Sequence, residues 1–438
     1  MKNMTLRLVR PPVMILLAAM FLFATAAQAM IDGVTGTSFT LTAKADHIST
    51  ADGNSVYAWG YANGNGRMQY PGITMIVNQG DTITVTLNNE LTVPVSIMFP
   101  GQENVTATGG TQGALAREAA PGQSVTYSFA ALKPGTFLYH SGTDPAIQVE
   151  MGLFGAIIVR PTGFDPASPR AYNHADSAYN HETLFLLSEM DSRIHEVVEF
   201  QGVAALANYD YLSDYFANYW FINGRNAPDT MASAGAWWLP TQPYNSMPMI
   251  HPGHKLLMRV VSAGRDLHPF HHHGNHARVI AKDARLLESA PGAGADLSTS
   301  VFTIQAVPGE TVDALFDWSG KGLGWDIYGT GTGYAHACDD MDNDTYDDMT
   351  HEYCPDHGKV FPVALPTYQE TTIGGFYSGS PYLGVLAALP PGQGGLNPDA
   401  GYVYMWHSHT EKEMTNFDIF PGGMMTMLII VPHGMPAH

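Results

Sequence analysis

His268-Pro-Phe-His271-His272-His273-Gly274-Asn-His276 places five histidines within nine residues. In an extended strand, residues two apart share a face, so His271 and His273 point together while His272 points to the opposite side. His407-Ser408-His409 repeats the same geometry near the end of the chain. Imidazole nitrogen suits copper and zinc, and copper binds most tightly of the divalent first-row ions. A lone histidine is ordinarily a surface residue or a hydrogen-bonded core residue. Two separate His-x-His strand pairs point instead to a metal centre.

The strand reading extends in both directions from these segments. Thr82–Leu87, Ser124–Phe129, Gly155–Val159, Lys255–Val261 and Met425–Val431 alternate or run apolar at strand length, each bounded by Gly, Pro, Asn or Asp. Charged residues make up 14% of the chain, against 45 glycines and 29 prolines. That balance favours many short strands with tight turns, an all-β sandwich architecture. Pro161–Pro166 and Ser168-Pro169 mark a boundary. The expected units are a first sandwich at 31–162, a linker at 163–174 and a second sandwich at 175–433. A Gly/Pro-rich acidic insertion is expected at about 330–400 in the second unit.

Lys2, Arg7 and Arg10, the apolar run from Val13 to about Ala26, and Ala27-Gln28-Ala29 read as a cleaved export signal over residues 1–29. The run is short for a membrane span, and no later segment is long and apolar enough, so a periplasmic or secreted protein without a membrane span is expected. A formal charge of −20 argues against nucleic acid as a partner. Cys338 and Cys354, the two cysteines of the chain, are expected to form a disulfide in an oxidising compartment.

Four motifs in order give the histidines a context. His268-Pro-Phe-His-His-His273-Gly resembles the H-P-F-H-L-H-G motif of multicopper oxidases, and Trp406-His407-Ser408-His409 resembles their H-C-H motif. Gly135-Thr-Phe-Leu-Tyr139-His140-Ser141-Gly142 is similar to G-T-x-W-Y-H-S-H. Ser96-Ile97-Met98-Phe99-Pro100-Gly101 stands where S-x-H-W-H-G belongs. Tyr219-Trp-Phe-Ile-Asn223-Gly224 also looks like the F-x-I-N-G opening of a later domain. The resemblance implies two cupredoxin-like Greek-key β-sandwich domains, bound copper, and a trimer in which the first domain of one subunit meets the second domain of its neighbour.

The departures narrow the chemistry. Of the family's eight cluster histidines, the resemblance leaves His140, His271, His273, His407 and His409, while Met98, Pro100 and Gly142 stand at the other three positions. His268 is retained at a blue-copper histidine position. Ser408 takes the cysteine position, however, and the second blue-copper histidine falls at Glu413 or Met414. A blue centre needs a thiolate, so the expectation is one or two copper ions in a non-blue site. If the chain is an enzyme, it is then a copper-dependent oxidoreductase, served directly by a small molecule or by an external redox protein. Glu411, Glu413 and Met414 read either as completing ligands or as a solvated loop. The rival class is a copper-free or copper-storing structural member of the superfamily, with Met247, Met249, Met424, Met425 and Met427 as soft donors or as core.

Within the insertion, Asp340, Asp342, Asp344, Tyr346 and Asp348 follow the first nine positions of a calcium loop. Thr345 replaces the usual glycine and His351 the usual glutamate, so a calcium site and a solvated acidic loop both stand as readings.

Overall fold

The computed structural model describes residues 31–211, 213–328, 336–360, 379–380, 402–431 and 437. The leader expected at 1–29, and most of the insertion beyond Val360, lie outside the described residues.

Two β-sandwiches follow one another along the chain. In the first, one sheet runs Ser55–Asn63, Ser38–Ser49, Thr82–Asn89, Ser124–Ala130 and Glu103–Gly109 in spatial order. The other sheet runs Val34–Thr35, Met75–Asn78, Phe154–Arg160 and Gly135–His140. The alternation seen in sequence is the reason: Ile83, Val85 and Leu87 face inward from one strand and Val125, Tyr127 and Phe129 from its antiparallel neighbour. These side chains make the core of the first domain.

The second sandwich opposes two larger sheets. One runs Tyr219–Ile222, His181–Met190, Lys255–Ser262, Thr311–Asp317, Ala277–Lys282 and Arg285–Leu286. The other runs Met249–Ile250, Met425–Ile430, Tyr402–Ser408, His268–His272 and Thr303–Ala306. Phe185, Phe270, Phe316 and Trp406 pack between them.

Phe154–Arg160 and His181–Met190 are buried along nearly their whole length because both of their faces are covered. Ile157 and Val159 point into the first core, whereas Phe154, Ala156 and Ile158 meet Leu184, Leu186, Phe221 and Val261 in a core between the domains. Helix Ser192–Gln201 strengthens this junction. Asp191 caps it by accepting from the Arg193 backbone N–H, and Ile194 and Val198 bury against the first sandwich. A buried charged network also crosses the boundary. Arg160 donates to Glu182 and to Tyr179, Arg259 Nε donates to Glu182 at 2.9 Å, and Thr136 and Tyr172 each donate to Asp313 at 2.6 Å. Cys338 and Cys354 form the expected disulfide.

Candidate metal centre

His271 lies directly opposite His407 in the antiparallel pair of His268–His272 with Tyr402–Ser408. Directly opposed residues project from the same face. Thr303 stands opposite His271 on one side and Met425 opposite His407 on the other, so Thr303, His271, His407 and Met425 form one row across four strands. Since the side-chain period is two, His273 and His409 join that face. His272 turns into the core against Phe316 and Trp406.

The result is a cluster. One ring nitrogen from each of His271, His273 and His407 lies within 4.8 Å of the others, and all three residues are buried. His273 Nε2 and His407 Nε2 are 3.3 Å apart. Two nitrogens bound to one ion at about 2.0 Å in tetrahedral array stand about 3.3 Å apart, so the pair fits a shared metal. His409 approaches His271 with ring centroids 4.9 Å apart. It lies at the exposed rim, where its Nδ1 is 3.4 Å from Glu411.

The protonation pattern suits metal binding. His407 Nδ1 is 2.7 Å from the Ser408 carbonyl, which can only accept, so the proton sits on Nδ1 and Nε2 keeps its lone pair. The Thr303 hydroxyl, 2.8 Å from His271 Nδ1, orients that ring. Burial, followed by the neighbouring His407 and His409, holds His271 down to about 4. Burial also lowers His407. Both rings are therefore neutral near pH 7, the form that ligates.

His140 is not part of this cluster within one chain. It ends the first-domain strand Gly135–His140 and lines a cavity with Pro145, Glu150, Gly264 and Arg265. Its Nδ1 donates to the Ser141 carbonyl at 2.8 Å, leaving Nε2 with a lone pair, and burial lowers its pKa. Two of the positions where the resemblance puts histidines, Met98 and Gly142, pack against each other beside it. Met98 is bridged to His140 by paired backbone hydrogen bonds, and a Cβ on Gly142 would come within 2.6 Å of Met98 Cγ.

His268 also stands apart from the cluster. Its Nδ1 is 2.9 Å from Glu413 Oε2 and its Nε2 is 2.9 Å from Glu189 Oε2, so both nitrogens are engaged by carboxylates. All three side chains are buried, and the two carboxylates push His268 up to about 10 against the opposing effect of burial. With both nitrogens turned to carboxylates, His268 is held by Glu189 and Glu413 rather than by the His271–His273–His407 cluster. Gly264, at φ +112°, lets Glu189 lie close: a Cβ there would be 2.3 Å from Oε2. Ser408, at the cysteine position of the motif, is buried with its hydroxyl accepting from the Thr410 N–H.

In the insertion, Asp340, Asp342 and Asp344 bring carboxylates within 4.8 Å of one another. Asp340 accepts from the backbone N–H groups of Asp344 and Thr345, and Asp348 accepts from that of Met341. Tyr346 pairs through its backbone with Tyr353. Glu189 was not legible as a partner of His268, because 79 residues separate them. A further quartet, Asp326, His336, Glu352 and His357, also escaped the sequence reading. The spacing His336-x-Cys338 and Cys354-x-x-His357 around the disulfide was its available signal.

Residues 42–163 match the family model described as multicopper oxidase. That stretch of the first sandwich is a multicopper oxidase domain by sequence. Laccase 1 of Metarhizium acridum is 38% identical over 103 residues, which cover 23% of this chain and 16% of the laccase. A copper-containing nitrite reductase of Neisseria meningitidis is 38% identical over 94 residues, covering 21% of this chain and 23% of the reductase. The aligned stretches thus span less than a quarter of these relatives. The blue copper oxidase of Nitrosomonas europaea shares the fold with a TM-score of 0.54 at 19% identity, over 89% of this chain and 85% of that one. Among the described residues, no helix is long and apolar enough to cross a membrane.

Proposed function

We propose that the chain is an exported copper protein with a non-blue centre on His271, His273 and His407, supporting oxidoreductase-type chemistry on a small molecule or metal ion. The convergence of three buried imidazole nitrogens within 4.8 Å carries this reading. Copper bound there supplies one-electron redox change and a Lewis-acidic position. The protein's part is to keep the rings neutral, fix the His407 tautomer through Ser408 and orient His271 through Thr303. Non-blue character follows from sulfur. The chain's two cysteines are bonded to each other, and a serine hydroxyl is no substitute for a thiolate. The disulfide and the leader motif support export.

His140 enters this reading through assembly. In a head-to-tail trimer, the lone pair on its Nε2 would complete the cluster of a neighbouring chain, with His409 at the rim between them. The mass of the assembled particle in solution tests this; a monomer that still holds copper tightly rules it out.

Copper analysis with electron paramagnetic resonance tests the centre itself. About one or two coppers per chain, with no intense thiolate-to-copper absorption in the visible, are expected. His271→Ala with His407→Ala should abolish retention. A protein that takes up no copper, or a double variant that retains it all, removes the proposal. A holding or storage role is the second reading, favoured by the Glu189–His268–Glu413 ion triad at the position where the resemblance puts the electron-entry copper. Copper loading without oxidase or reductase turnover would select it.

A further inference from the structure

The side chains of Asp326, His336, Glu352 and His357 converge where the insertion leaves the second sandwich, as a group separate from the histidine cluster. His336 Nε2 is 2.9 Å from Glu352 Oε2 and 3.6 Å from Asp326 Oδ2. His357 Nδ1 is 3.2 Å from the same Glu352 Oε2 and 3.5 Å from Asp326 Oδ2. Four nitrogen and oxygen ligands held at about 2.0–2.1 Å from one ion in a tetrahedron are about 3.3–3.4 Å from each other. The four imidazole–carboxylate separations bracket that value. The two imidazoles meet nearly at right angles, 84° between planes with centroids 4.8 Å apart, which brings both ring edges toward the carboxylates.

Burial adds a charge requirement. The carboxylates of Asp326 and Glu352 are each only 1% exposed, whereas the imidazoles are 19% and 32% exposed. Two buried carboxylates side by side favour a cation between them, which offsets their desolvation and mutual repulsion. A divalent ion supplies two charges at one point between them.

The surroundings hold these side chains in place. Asp326 receives the Tyr328 N–H on Oδ1 and the Gly358 N–H on Oδ2, each at 2.9 Å, and its own N–H donates to the Lys359 carbonyl. Trp325, Ile327 and Tyr328 anchor this segment in the core of the second sandwich. The Cys338–Cys354 disulfide ties the arm carrying His336 to the arm carrying Glu352 and His357. All four donors come from protein, which is the closed pattern of a structural rather than a catalytic ion. Two imidazoles favour a borderline metal over calcium or magnesium.

We propose that Asp326, His336, Glu352 and His357 form a structural site for a divalent zinc-class ion that pins the insertion onto the second sandwich. The test uses the full-length chain carrying His271→Ala and His407→Ala, so that the copper reading and this one fail independently. Zn²⁺ is titrated into the metal-free protein in excess Ca²⁺, which covers the carboxylate-only group at Asp340. About one equivalent bound at sub-micromolar concentration is expected, and Co²⁺ in its place should show the strong visible bands of four-coordination. Adding His336→Gln and His357→Gln should remove the uptake with the disulfide still formed. Glu352→Gln, which keeps the side-chain shape, should weaken it by at least about tenfold. No Zn²⁺ uptake by the parent, or uptake unchanged by these replacements, overturns the site. If the double replacement disturbs folding, a Zn²⁺-dependent rise in the parent's unfolding midpoint decides instead, and its absence is equally fatal.

Discussion

Replacing Glu182 with glutamine is expected to cost about 3–5 kcal/mol at neutral pH, the range for breaking a buried ion pair by removing one partner. Glu182 is almost inaccessible, and so are the guanidinium groups of Arg160 and Arg259 that it joins. Arg160 comes from the last strand of the first sandwich. Glu182 and Arg259 come from adjacent strands of the second, so the carboxylate neutralises charge across the domain junction. With glutamine in place, Arg160 loses its paired carboxylate, while Arg259 keeps Asp313 at 3.6 Å from its Nη1. The pH dependence has a definite sign. Although burial alone would raise the Glu182 pKa, Arg259 and Arg160 hold it down to about 2. A carboxyl depressed in the folded state contributes stability that is fully present above its unfolded pKa, about 4.3, and lost as pH falls toward 2. Denaturant midpoints for Glu182→Gln and the parent should therefore differ most near pH 7 and converge as pH drops from about 4.3 toward 2. A difference below about 1 kcal/mol at pH 7 would show that the network is not load-sharing between the domains.

His268→Gln is expected to destabilise by a similar amount, about 3–5 kcal/mol, because it strands Glu189 and Glu413 as buried carboxylates without their cation. Here the sign reverses. With its pKa pushed up to about 10, His268 stabilises fully below its unfolded value of about 6.5 and loses that contribution as pH rises toward 10. The parent's midpoint should fall across that window and the variant's should not. Converting all three together, Glu189→Gln with His268→Gln and Glu413→Gln, should recover most of the loss, because a wholly neutral hydrogen-bonded set has no uncompensated charge. A single variant as stable as the parent would mean the triad is not charged in the folded protein.

Both networks show where local reading stops. The strands around Ile83, Val85 and Leu87, and the facing of His271 with His273, follow from a side-chain period of two, which any short stretch of sequence displays. The family motifs likewise made the fold and the His-x-His pairs legible, and Ser408 announced that the usual thiolate is missing. His268 was legible as a histidine at a blue-copper position. Its state depends on carboxylates 79 residues before it and 145 after it, and no local pattern carries that information. The same limit hid the quartet in the insertion, where Asp326 and Glu352 approach one another through chain folding and a disulfide.

The sequence by itself thus determined the all-β architecture, the two sandwich units and which histidines share a strand face. All of these rest on periodicities and motifs within a few residues. Tertiary structure alone decided that His271 sits opposite His407, that His140 lies outside the cluster of its own chain, and that His268 is clasped between two acids. Strand register and buried charge pairing are set by which distant segments exclude water together, and only the folded chain brings those segments into contact.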